Sequence, residues 1–128
     1  MYKTIKVKKY PKLDTLIGQD TPEILQSIFK RFPSEKNTNN KDSILSDLND
    51  YYYIDRNYNL LPGRFVKLID IKDSYNIHIK YRGFVIDDDG YTISLKTNRN
   101  VLNVSKRVVL TLLQFTEKDK FIYSLKQM

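Results

Sequence analysis

The sequence predicts an α+β fold, in which an N-terminal strand and two helices precede a five-stranded antiparallel SH3-like small barrel. Apolar residues recur at helical spacing only between about residues 20 and 53 and again near the C-terminus. From Leu61 onward, apolar and polar residues alternate in runs of strand length, separated by short polar turns. Several short consecutive strands favour closure into a meander barrel, because a barrel leaves no broad sheet edge exposed.

The N-terminal part is predicted to hold one strand and two helices. In "YKTIKVKKY", Ile5 and Val7 alternate with lysines, as expected for an edge strand with one apolar face. "DTPEILQSIFKRFP" is predicted to be a helix, because Asp20 or Thr21 can cap it and its apolar residues share one face. "SEKNTNNK" is predicted to be a polar loop. "DSILSDLNDYYY" is predicted to form a second helix, although the tyrosines at 51–53 could equally begin an extended segment.

The C-terminal part is predicted to be mostly strand. The candidate strands are residues 64–71, 77–86, 91–97, 101–105 and 108–115. Gly83 lies inside the second of them and indicates a bulge or a sharp bend. "TEKDKFIYSLKQ" is predicted to close the chain as a helical turn capped by Thr116. The expected organisation is a single domain with a mostly helical part (1–60), a β-barrel (61–115) and a C-terminal helical turn (116–128).

Alternation along the second candidate strand predicts which of its side chains face outward. Tyr81 shares the parity of Ile77 and Ile79, so it is expected to point into the core. Lys80 and Arg82 fall on the opposite face. The pattern therefore predicts a core face of aromatic side chains and a basic outer face, rather than an aromatic binding platform.

The net charge of +7 on 128 residues is unevenly distributed. The first twelve residues contain five lysines and no acid, and residues 61–128 contain twelve basic and seven acidic residues. Such a distribution suits a polyanionic partner, although lysines that merely solvate the surface would give a similar composition. There is no cysteine and no apolar run long enough to span a bilayer, and the charged N-terminus lacks the apolar segment of a secretory signal. These features predict an intracellular protein (cytoplasm or nucleus) or a virion protein, with no membrane association.

Catalytic and metal-binding motifs are not found in the sequence. His78 is the single histidine, and without cysteine it makes neither a zinc site nor a Ser-His-Asp triad. "DDDG" at 87–90 does not have the spacing of a calcium loop and is better explained as a hairpin turn. We therefore expect no enzymatic activity, no cofactor and no metal.

The leading functional hypothesis is a non-enzymatic basic module that associates with nucleic acid without sequence specificity. Aromatic side chains can stack on bases while lysine and arginine contact phosphates. The candidate phosphate contacts are Lys3, Lys6, Lys8, Lys9, Lys80, Arg82, Lys106 and Arg107. The alternative is a structural or assembly protein that docks on other proteins, with the N-terminal lysine-rich strand added to the edge of a partner's sheet.

The segments "GRFVKLIDI", "IKYRGFVIDDDGYTISLK" and "VLNVSK", within residues 62–106, are similar to β-rich segments of uncharacterised proteins from large nucleocytoplasmic DNA viruses. The shared features are a Gly-Arg-Phe-hydrophobic start, an Ile-Asp and a Tyr-X-Gly-Phe core. This resemblance implies a viral accessory or virion-associated protein, with virion or host proteins as partners and no catalytic residues to transfer.

Overall fold

The computed structural model describes residues 21–54, 57–73 and 75–126. The α+β class is confirmed, and the predicted N-terminal strand lies outside the described residues. The elements in chain order are α1 (Thr21–Arg31), α2 (Glu35–Asp47), β1 (Tyr51–Ile54), β2 (Phe65–Asp70), β3 (His78–Asp88), β4 (Thr92–Lys96), β5 (Val101–Ser105), a 3-10 turn (Lys106–Val108), β6 (Val109–Gln114) and α3 (Glu117–Lys126).

The six strands form one antiparallel sheet in the order β1-β6-β2-β3-β4-β5. The five strands expected after Leu61 are all present, within two residues of their predicted ends. The prediction of a closed five-stranded SH3-like barrel is wrong, because the sheet has a sixth strand and is open. The tyrosine run forms β1, which pairs with β6 from Tyr51↔Gln114 to Ile54↔Thr111. With β1 on one side and β2 on the other, β6 has no edge left to pair with β5.

The helices differ from the prediction mainly at the start of α2. α1 was expected and buries Leu25 and Phe29. The predicted polar loop "SEKNTNNK" is wrong, since all but its first residue lies in α2. Ser34 is the N-cap, and its hydroxyl accepts a hydrogen bond from the Asn37 amide at 3.0 Å. This cap satisfies one of the unpaired amides of the first turn, so a polar sequence can begin a helix there.

The sheet buries apolar side chains on both faces. One face packs on the helices through a cluster that includes Leu25, Ile44, Ile69 and Leu112. The other face has a cluster drawn from all six strands: Ile54, Val66, Val85, Ile93, Val104 and Leu113, with further residues around them. Since the two edge strands both contribute to this second cluster, the sheet must curl around it.

α3 is docked at its N-terminal end. The Asp119 amide donates to the Thr116 hydroxyl, and the Thr116 amide donates to the Asp119 carboxylate, at 3.2 and 2.9 Å. These reciprocal bonds are those of a capping box, so the predicted cap is confirmed. Arg64, just before β2, also donates to Asp119 at 2.6 Å and joins the helix to the sheet.

Candidate functional site

A β-bulge in β3 changes the faces on which its side chains lie. Leu68 pairs with Tyr81 and Ile69 pairs with Ile79, so Lys80 is an extra residue with no partner on β2. Consequently Ile79 packs on the helix side, while Tyr81 packs against the cluster on the opposite face. The predicted shared face for Tyr81 and Ile79 is wrong, because a bulge interrupts the alternation on which it was based.

The same bulge separates the two cations that were expected to lie together. Lys80 is exposed, and its ammonium lies 3.4 Å from the Asp70 carboxylate, which raises the pKa of Lys80 through their hydrogen bond. Arg82 instead lies on the helix side of the sheet, 3.6 Å from the carboxylate of Asp47 at the end of α2. The predicted common basic face of Lys80 and Arg82 is therefore wrong.

Beyond the bulge, the helix side of the sheet is partly uncovered. It forms a shallow depression with a volume of about 570 Å³. Phe84 is 53% exposed at this surface, and its ring meets Phe65 edge to face, with centroids 5.0 Å apart. We call this surface the Phe84 patch; its residues are Phe65, Arg82, Gly83, Phe84, Lys96, Thr97, Asn98 and Arg99.

Strand register brings the aromatic and basic side chains of the patch together. Phe84 is opposite Phe65 on β2 and opposite Lys96 on β4, so all three share one row across the sheet. Arg82 is opposite Lys67 in the next row along β3. Side chains directly opposite each other on antiparallel strands have Cβ atoms about 5 Å apart, so Lys96 lies beside the Phe84 ring.

Gly83 allows β3 and β4 to approach closely at the patch. A Cβ atom built at Gly83 would lie 2.7 Å from the carbonyl oxygen of Lys96 and 3.3 Å from the Cβ of Leu95. The first distance is a clash with backbone, so a larger residue here would push Lys96 away from Phe84. The glycine that the sequence marks as a bend is thus a close-approach position.

The loop between β4 and β5 positions Arg99. The Thr97 hydroxyl accepts hydrogen bonds from the amides of Arg99 and Asn100, at 3.3 and 3.2 Å. The Thr97 amide donates to the carbonyl of Asn100 at 2.9 Å and closes the loop. This network holds a short turn in which Arg99 stands at the rim of the Phe84 patch.

The cations around the patch differ in how far they are already neutralised. Lys67 donates to the Asp47 carbonyl at 2.7 Å, so its ammonium sits at the negative end of α2. Burial and the neighbouring Arg82 lower the pKa of Lys67, and Asp47 partly opposes them. Among the described residues, no carboxylate lies within 4 Å of the Lys96 ammonium or the Arg99 guanidinium. Lys96 and Arg99 therefore keep positive charge that is available to an anion.

The other predicted phosphate contacts lie elsewhere. Arg107 is exposed in the 3-10 turn that follows β5, whereas Lys96 pairs with the first residue of that strand. Arg107 thus lies at the far end of the β4–β5 ladder from the patch. The four N-terminal candidates lie outside the described residues; they are Lys3, Lys6, Lys8 and Lys9.

Lys106 was predicted to be an exposed phosphate contact, and this is wrong. Its side chain is 3% exposed and its ammonium donates to both oxygens of the fully buried Asp88 carboxylate, at 3.1 and 2.9 Å. It also donates to the Tyr58 carbonyl at 2.8 Å. Asp88 in turn accepts hydrogen bonds from the amides of Leu60 and Gly90. Lys106 therefore joins the 57–60 segment to the β3–β4 hairpin and cannot reach a phosphate.

The acidic run at 87–90 is only partly the turn that its sequence indicates, because Asp87 and Asp88 are the last residues of β3 and the turn begins at Asp89. Asp89 accepts hydrogen bonds from the amides of Tyr91 and Thr92, and Gly90 has a φ of 92°. In the part of the chain that the structure describes, no three acidic, histidine or cysteine side chains are grouped so as to hold a metal ion. No helix in those ranges is both long and apolar enough to cross a membrane.

Comparison with protein-family models, curated proteins and solved structures finds no match to this chain. Its functional chemistry must therefore be inferred from the side chains and their geometry.

Sequence reasoning missed Lys96, Arg99 and the exposure of Phe84. Phe84 lies two positions after Arg82 in the sequence, but alternation alone gives no reason to place it with Lys96, twelve positions away. The available signal was Gly83, since a glycine inside a strand marks either a bulge or a close approach of another backbone.

Proposed function

We propose that this protein is a non-enzymatic module that binds nucleic acid without sequence specificity, and that the Phe84 patch is its contact surface. The observation that supports this most directly is an exposed aromatic ring flanked by two cations, Lys96 and Arg99, that have no carboxylate neighbour in the described ranges. Phosphates contribute most of the affinity in such binding, and aromatic rings accept any base.

Arg82 supplies a third cation at the same surface. Its ion pair with Asp47 is long, at 3.6 Å, and both side chains are about half exposed. An exposed pair of this kind contributes little to stability, so a phosphate can compete with Asp47 for the guanidinium. Three phosphate contacts are compatible with a dissociation constant of about 1–100 µM at physiological salt, the usual range for non-specific binding.

The experiment is a fluorescence-anisotropy titration of a labelled oligonucleotide at several salt concentrations. The test variant carries Lys96→Gln and Arg99→Gln, and the control carries Lys36→Gln and Lys118→Gln, which remove equal charge from exposed positions on α2 and α3. We expect the test variant to flatten the slope of log affinity against log salt by about 1.4 for a single strand, since each phosphate contributes about 0.7. The control should keep the wild-type slope.

Lys80 and Arg107 are exposed and stay predicted phosphate contacts for a longer strand. A third variant, with Lys80→Gln and Arg107→Gln, tests them. If this variant flattens the slope and the Lys96/Arg99 variant does not, nucleic acid binds elsewhere on the surface and the Phe84 patch is not the site.

The alternative function is a structural or assembly protein of a viral particle. It draws on a separate observation: among the described residues, β5 is paired on one side only, and it exposes Val101. An edge strand can receive a strand from a partner protein. Two results together would favour this alternative. The chain would bind a virion or host protein with micromolar or tighter affinity, and the Lys36/Lys118 and Lys96/Arg99 variants would weaken oligonucleotide binding equally.

A further inference from the structure

The exposed ring at the centre of the Phe84 patch indicates the form of nucleic acid that it binds. Phe84 is 53% exposed although it lies within a sheet whose neighbouring Val85 is buried. Three cations flank this ring: Arg82 on β3 itself, Lys96 on the adjoining strand β4, and Arg99 in the loop after β4. A cationic surface with an exposed aromatic ring is the combination that single-strand binding uses. One edge of the ring contacts Phe65 edge to face, which favours an orientation that leaves the other side open.

We infer that the Phe84 patch selects single-stranded over double-stranded nucleic acid by stacking an unpaired base on Phe84, an inference that rests on the proposed function. In a duplex each base has both faces covered by its neighbours, so stacking on Phe84 would require the base to leave the stack. In a single strand a base can reach the ring freely, and every base has a suitable π face.

The shape and charge of the patch agree with a single nucleotide unit. Its volume of about 570 Å³ lies within the range of small-ligand sites. Lys96 is directly opposite Phe84 across the β3–β4 pair, so a phosphate adjoining the stacked base meets its ammonium. Because β3 and β4 are antiparallel, Arg82 and Arg99 both lie toward the β4–β5 loop from Phe84, where the next phosphate of the strand would pass.

The first test compares a labelled oligothymidylate with a labelled duplex of equal length, using Phe84→Leu. Leucine keeps an apolar side chain but has no π face. We expect oligothymidylate binding to weaken about 5- to 150-fold, the range measured when one stacking ring is removed, while duplex affinity stays the same. Equal weakening for both forms, or no weakening for either, would overturn the inference.

The second test uses tryptophan fluorescence. The chain contains no tryptophan, so an introduced indole is the sole source of this signal. Phe84→Trp should be quenched by oligothymidylate and not by the duplex. Phe121→Trp is the matched control, because Phe121 is 64% exposed on α3 and does not line the patch. Quenching of both variants to the same extent would contradict stacking at Phe84.

These results separate the inference from the proposed function. Binding could depend on salt, Lys96 and Arg99 and yet be unchanged by Phe84→Leu, with no quenching of Phe84→Trp. That result would reject base stacking and keep the nucleic-acid function. Failure of the wild-type chain to bind either oligonucleotide at low salt would reject the nucleic-acid function itself.

Discussion

Lys106→Met is expected to destabilise the fold strongly, because it would leave the Asp88 carboxylate in the interior without its counter-charge. The Lys106 ammonium contacts both oxygens of Asp88, and the two side chains are 3% and 0% exposed. Methionine is close to lysine in length and apolar, so the substitution removes the charge and two sets of hydrogen bonds without a large loss of volume. The second set is the donation to the Tyr58 carbonyl.

The geometry sets the size of this effect. Removing one partner of a buried ion pair typically costs about 3–5 kcal/mol. Asp88 keeps two backbone donors, the amides of Leu60 and Gly90, each at 2.9 Å, which places the cost near the lower end, at about 3 kcal/mol. For a chain of 128 residues this corresponds to a fall in Tm of about 11 °C. Folded domains typically have a free energy of unfolding of about 5–15 kcal/mol, so this loss is a large share of the total.

Thermal unfolding followed by circular dichroism measures this fall, with urea titration as the second readout. Lys80→Met is the control, because its ion pair with Asp70 lies at the surface and its loss should change Tm far less. The double variant Lys106→Met with Asp88→Asn should be more stable than Lys106→Met alone, since no uncompensated buried charge remains. If Lys106→Met lowers Tm no more than Lys80→Met does, the buried pair does not hold the 57–60 segment as described.

Two further outcomes follow from the geometry. Gly83→Ala should lower the free energy of unfolding by about 1–3 kcal/mol in urea titration, because its Cβ would meet the Lys96 carbonyl at 2.7 Å; a stabilised variant, as alanine normally gives in place of glycine, would contradict the close approach. Hydrogen bonding to Asp50 and then to Glu117 raises the pKa of Lys120 above its ordinary value of 10.5. Because the folded state holds this proton more tightly, the stabilisation is complete below pH 10.5 and is lost as the pH rises through the raised pKa. The difference in Tm between the wild type and Lys120→Met should therefore shrink above pH 10.5, and a difference that grows there would contradict the assignment.

The strands of the C-terminal part could be predicted because their signals are local. Alternation and turn residues fall within each strand and its adjacent loop, so the ends of β2 to β6 agree closely with the pattern in the sequence. The number of strands in the sheet could not be predicted in the same way. β1 joins β6 across some sixty residues of chain, and nothing in the tyrosine run itself indicates that partner.

The start of α2 was missed because the first turns of this helix have no apolar stripe. Its first turns expose polar side chains, apart from Asn37, whose carboxamide is buried and donates to the Phe32 carbonyl while accepting from the Ile77 amide. Tertiary hydrogen bonds and the Ser34 cap stabilise this segment as a helix, and hydrophobic periodicity predicts neither of them.

The candidate site was the least predictable part for a similar reason. One extra residue, Lys80, reverses the parity of the β3 residues from Tyr81 to Val85, so Arg82 and Phe84 lie on a different face from the one that alternation gives. The burial of Lys106 depends on Asp88 and Tyr58, which only the folded chain brings to it. A basic residue count predicts a partner of opposite charge, and tertiary structure decides which cations are free to meet it.

The most direct measurement of the central claim is a map of backbone amide chemical shifts during titration with oligothymidylate. The Phe84 patch predicts that the largest changes fall on residues 82–84 of β3 and residues 96–99 of β4 and its following loop. Arg107 and α3 should be nearly unchanged. Changes concentrated around Arg107 or α3, with residues 82–84 and 96–99 unaffected at saturation, would contradict the proposal that this surface is where nucleic acid binds.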